Sequence, residues 1–143
     1  MKAAFDILIL VFLVLMAIVD ARSFRIPPKL QATFLLLCSI GTLILLPHDA
    51  PLRALSGSAI AAILLAFRRY AGSPGLADIT VLFSLAVGYG GLNALFILTV
   101  ALVLAGISIV LQSLLLKNKL PYHNAIPLGP LLSLAFGIFL LSR

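Results

Sequence analysis

The stretch from Ala3 to Asp20, AAFDILILVFLVLMAIVD, decides the class of fold. It is apolar throughout except for Asp6 near one end and Asp20 at the other. Crossing the hydrocarbon core of a bilayer takes about 20 helical residues rising 1.5 Å each, so the run reads as a membrane span. Lys2 in front of it and Val19-Asp20-Ala21 behind it loosely resemble an export signal with its cleavage site. Asp20 inside that site, followed by Arg22 and Arg25, opposes export, and the segment is read as a retained first span.

Outward from this run the chain repeats the pattern. Punctuation by Pro, Gly and charge leaves five further apolar segments: Leu30 to Leu46, Leu52 to Phe67, Leu76 to Tyr89, Leu92 to Leu116 and Ala125 to Leu141. The fourth is the shortest, and Gly88, Gly90 and Gly91 around its end allow it to run on towards Ala94 or to meet the bilayer away from the interface. Over 143 residues, 63% are hydrophobic, 10% are charged, and the mean hydropathy is +1.26. Soluble domains carry about a quarter charged residues, and the 14 charged side chains here cannot clothe a soluble globule. The fold class expected is all-α, a polytopic membrane protein of about six transmembrane helices forming one domain over residues 1–143, with membrane lipids around it. Small residues in the third segment, Gly57, Ser58, Ala59, Ala61 and Ala62, are expected to let that helix pack closely on a neighbour.

Charge sorts by loop. Arg22, Arg25, Lys29, Arg68, Arg69, Lys117 and Lys119 follow the first, third and fifth segments, while Lys2, Arg53 and Arg143 fall on the opposite side. Seven cations against three place the first group in the cytoplasm and both termini outside. The net charge of +6 is read as orientation and attraction to anionic headgroups, not as nucleic-acid binding, because the cations are scattered over short loops. A lone cysteine, Cys38, excludes an internal disulfide and a Cys-x-x-Cys zinc site, and no His, Cys or Glu set completes a metal centre; no cofactor is expected.

Aspartate is the only acid used, and a carboxylate at membrane depth is costly unless paired, wetted or functional. Asp20 closes the first span and Asp78 opens the fourth, 58 residues apart yet on the same membrane face. Two carboxylates at one boundary can share a proton and hold a water between them, the arrangement with which aspartic proteases hydrolyse peptides. Each also has a plainer reading: Asp20 neutralised by Arg22 or Arg25, Asp78 capping the fourth helix. Asp6 and Asp49 share the other face and read as structural. His123, between Tyr122 and Asn124, stands on the cytoplasmic side without a catalytic companion.

Three motifs sharpen the reading. Asp20 to Pro27, with Ile26-Pro27 a few residues beyond the aspartate, resembles the first motif of the type IV prepilin peptidases, membrane aspartyl proteases of the Gly-x-Gly-Asp type. Gly75-Leu76-Ala77-Asp78 is similar to their second motif, and Ile126-Pro127-Leu128-Gly129-Pro130-Leu131 to their Pro-Phe-Gly-Pro segment. The three stand in the family's order across essentially the whole chain. Ala77 replaces the second glycine, Thr80 a common lysine, Pro28 the asparagine after Ile-Pro, and Leu128 the phenylalanine.

The resemblance implies an aspartic endopeptidase that removes the leader of a prepilin-like or pseudopilin-like membrane protein at the cytoplasmic face. Asp20 and Asp78 would be catalytic, and Gly75, Ala77, Pro127, Gly129 and Pro130 would wall the site; the plainer reading of Pro127, Gly129 and Pro130 is a kink in the sixth helix. Larger family members carry a cytoplasmic insert with paired cysteines and methylate the product; this chain has no such insert, so peptidase activity alone is expected. Two other readings stand beside it. One is a silent relative that holds pilin-like helices, prompted by Ala77 and Thr80, and the other is a proton- or cation-translocating subunit using the same acids.

Overall fold

The computed structural model describes residues 2–23, 25–71, 75–115 and 128–142. Among them there is no strand, only six helices: α1 (Lys2–Ser23), α2 (Pro28–Leu45), α3 (Ala50–Ala71), α4 (Leu76–Tyr89), α5 (Gly91–Leu115) and α6 (Leu128–Leu141). Each coincides with one of the six expected segments. Four of them, α1, α2, α3 and α5, are long and apolar enough to cross a membrane. The 14 residues of α4 make a rod of about 21 Å, shorter than the hydrocarbon core, and the described part of α6 also has 14 residues. Large apolar side chains such as Ile7, Val11, Leu43, Ile63 and Leu102 stand exposed on the outer faces, as lipid permits and water does not.

The shortness of α4 has a physical reason. Ile79, Val81, Leu82 and every residue from Ser84 to Tyr89 are buried, because α2, α3 and α5 sheathe the helix. A helix surrounded by protein need not match the bilayer thickness. α1 lies chiefly on α6, which in turn meets α5, and the core runs through Ile9, Leu13 and Met16 of α1, Leu82 and Leu85 of α4, and Leu132 and Phe136 of α6. α3 is the outermost helix: of its described side chains only Gly57 is buried. A Cβ on Gly57 would come 3.2 Å from Ala86, so this position does bring α3 close to α4. Ser58, Ala59 and Ala62 are exposed and Ala61 is half-buried, so most of the expected small-residue contact is absent.

Local chemistry sets the ends. Proline opens α2 at Pro28, where an amide hydrogen would have no partner within the helix. α4 does not run on towards Ala94, because Gly90 takes φ 91° and turns the chain into α5. Its N–H still closes onto Ala86 O at 2.8 Å, and its own carbonyl accepts from Ala94 at 3.1 Å. Polar bonds then anchor this end of α4 to its neighbours. The Thr42 hydroxyl lies 2.9 Å from Val87 O as well as 2.8 Å from Cys38 O, and the Arg53 guanidinium donates to Gly88 O at 2.7 Å. Cys38 itself is fully buried and faces Gly88, a packing role.

Gly90 generates the first prediction. Nothing lies within 4 Å of a Cβ built there, so the Gly90→Ala variant isolates backbone strain at positive φ. It should lose about 1–3 kcal/mol of stability in reversible unfolding in detergent micelles. Gly106→Ala, equally unobstructed but inside α5, should be neutral or slightly stabilising.

Candidate active site

Asp20 lies in the last turn of α1 and is 8% exposed. One of its oxygens, Oδ2, accepts the backbone N–H of Gly129 at 3.0 Å. Gly129 lies near the start of the described part of α6, so the Asp20 carboxylate ties the end of α1 to the backbone of a neighbouring helix. The approach demands glycine: a Cβ on Gly129 would sit 2.9 Å from Asp20 Oδ2, 3.0 Å from Asp20 Cβ and 3.3 Å from Ala17 Cα. Pro130 follows it in α6.

Asp78 is half-buried at the third position of α4, and its Oδ2 accepts the N–H of Gly75 at 3.2 Å. It therefore supports the start of its helix from inside the first turn, while Gly75 occupies the cap position expected for Asp78. Ala77, in helical conformation beside it, is a comfortable residue for that place. Thr80 bonds back to Leu76 O at 3.0 Å.

The two carboxylates face one cleft of about 630 Å³ and interact through their charges. Its walls are the connection Arg25-Ile26-Pro27-Pro28 on one side and Gly75-Leu76-Ala77-Asp78 on the other. The parallel between the acids is close. Each gives one oxygen to a glycine backbone amide and leaves Oδ1 with no hydrogen bond among the described residues. Neither forms an ion pair among the described residues, although Arg25 shares the cleft. Neutralisation of Asp20 by Arg22 or Arg25 is thus not what the structure contains.

The expected wall residues divide. Gly75 and Ala77 line the cleft, Gly129 backs Asp20, and Pro130 follows Gly129 in α6. Pro127 and His123 lie outside the described residues. Among those described, no three His, Cys, Asp or Glu side chains converge as metal ligands would. At the opposite end of the bundle Asp6 and Asp49 part company: Asp49 pairs with Arg53, whereas Asp6 accepts the Tyr89 hydroxyl at 2.7 Å, beside a small cavity of about 120 Å³. That pairing was not read from sequence. The signal was the general one, an acid inside an apolar run that must find a donor. Comparison with protein-family models, curated proteins and solved structures finds no match to this chain.

The closeness of α6 to Asp20 is testable. Gly129→Ala should cost about 1–3 kcal/mol of stability, because Ala17 Cα is backbone and cannot give way. Gly137→Ala on the same helix meets nothing within 4 Å and should cost nothing measurable in the same unfolding assay.

Proposed function

We propose that the protein is an aspartic endopeptidase resembling the type IV prepilin peptidases, which removes the leader from a pilin-like membrane protein. The observation that carries this reading is the shared cleft. Asp20 and Asp78, on different helices, line it together, and the remaining walls come from the Ile-Pro and Gly-Leu-Ala segments that carry the resemblance. Two anions so placed repel each other, and one shared proton removes the repulsion. With one carboxylate ionised and the other protonated, the first takes a proton from water as the water attacks the scissile carbonyl. The second donates a hydrogen bond to the carbonyl oxygen. The pair titrates as a unit, so the roles belong to the dyad and not to either residue.

Translocation is less well supported. A proton path would need polar groups between the two ends of the bundle, whereas Ile9, Leu13, Met16, Leu82 and Leu85, buried and apolar, belong to the core between them. In the proposed topology Asp20 and Asp78 face the cytoplasm, on the strength of the cation count. The substrate's apolar helix lies in the bilayer beside the bundle, with its charged leader at the cleft.

Asp20→Asn and Asp78→Asn should each abolish cleavage of a co-expressed prepilin-like substrate, read as a mass shift, because asparagine keeps size but supplies no titratable proton. The double variant should be hardly worse than either single one. Asp49→Asn, at the other end, should retain most activity. Either cleft variant cleaving at a near wild-type rate would overturn the mechanism, and wild-type protein that binds substrate without cutting it would favour the silent-relative reading.

Orientation is checked separately. In a Cys38→Ala background, cysteines at Asp49 or Leu92 should react with an impermeant thiol reagent from outside the cell, while one at Arg22 should not. The reverse pattern would put the cleft on the wrong face.

A further inference from the structure

The helices that carry Asp20 and Asp78 run antiparallel, yet neither takes the other as its main neighbour: α1 rests on α6, and α4 on α2, α3 and α5. Ile9, Leu13 and Met16 of α1 and Leu82 and Leu85 of α4 belong to one apolar core. Apolar packing presses helices together, but it fixes neither register nor rotation, because it has no direction. A directional bond does span the two helices: the Tyr89 hydroxyl donates to Asp6 Oδ1 at 2.7 Å. It sits at the end away from the cleft, about 21 Å from Asp20 along α1 and about 17 Å from Asp78 along α4.

Everything around that bond is built to hold it. Tyr89 is 4% exposed, and its ring is enclosed by Phe5 of α1 at 5.9 Å, Phe136 of α6 at 5.1 Å and Phe139 of α6 at 5.9 Å between centroids. The residues just before it are fixed by Thr42 and Arg53, so the tyrosine sits on the best-anchored part of α4. At the opposite end of α4 the Gly75–Asp78 and Thr80–Leu76 bonds stay within α4 and its cap. Lys2 and Arg53 also line the cavity beside Asp6, and the bond between Asp6 and a neutral phenol is the contact by which α4 draws on that acid.

We propose that Tyr89 and Asp6 are positioning residues for the aspartate pair, their hydrogen bond setting the register of α4 against α1 and so the separation of Asp78 from Asp20. The proposal rests on the peptidase reading for its effect on cleavage, but not for its effect on geometry.

Spin labels at Ala21 and Leu76, in a Cys38→Ala background reconstituted into lipid vesicles, report the distance between the cleft ends of α1 and α4 by pulsed dipolar spectroscopy. Tyr89→Phe keeps the ring and loses the hydroxyl; it should broaden the distance distribution. Without labels it should lower kcat for leader cleavage about tenfold or more with KM little changed, as displacement of reacting groups does. Asp6→Asn keeps an acceptor oxygen and should preserve the narrow distribution, whereas Asp6→Leu should broaden it as Tyr89→Phe does. Combining Tyr89→Phe with Asp6→Leu should add little further. An unchanged distribution in both Tyr89→Phe and Asp6→Leu overturns the positioning role whatever the cleavage assay reads. A broadened one, with wild-type protein inert towards substrate, upholds the positioning role and removes the peptidase reading instead.

Discussion

Lipid offers no hydrogen-bond partner to a peptide group, so each helix end at membrane depth must find its donors and acceptors within the protein. That requirement governs this bundle. α4 is shorter than the hydrocarbon core, and its last turn is met by the Thr42 hydroxyl, the Arg53 guanidinium and the turn at Gly90. At its first turn Asp78 receives the Gly75 amide, and Asp20 receives the Gly129 amide of α6. The two acids most suited to chemistry thus also satisfy backbone amides. Structural and catalytic readings of Asp20 and Asp78 are two uses of different oxygens on the same carboxylate.

Much of this arrangement was legible in the chain. Six apolar runs correspond to six helices, and the fourth ends at Tyr89 instead of running on towards Ala94, because Gly90 turns the chain. Placement of Asp20 and Asp78 at one end of the bundle followed from counting crossings, since spans of alternating direction return to the same face; their sharing a cleft did not. The part of α4 was harder to see. Its composition is as apolar as that of its neighbours, and only its length separates a helix bathed in protein from one bathed in lipid.

Pairings between distant residues were not legible. Asp6 and Asp49 share a face, yet one meets a tyrosine 83 residues away and the other an arginine in the first turn of the helix that follows it. Gly129 carried a motif but not its reason, which is the depth to which α6 sinks onto α1 at Ala17 and Asp20. The run from Gly57 to Ala62 misled in the opposite direction. Small residues permit close packing without requiring it, and the rotation of α3 leaves all but Gly57 and Ala61 facing outward.

The bond from Gly129 to Asp20 joins residues 109 positions apart. A ribosome therefore delivers the first acid of the pair long before the amide that seats it. While α1 to α5 enter the membrane, Asp20 lacks its backbone donor, and the cleft has its two carboxylates without the support that orients one of them. On the peptidase reading, competence waits for α6 to dock: a chain stalled or cut before its sixth helix holds both acids in the membrane, but not the seated pair.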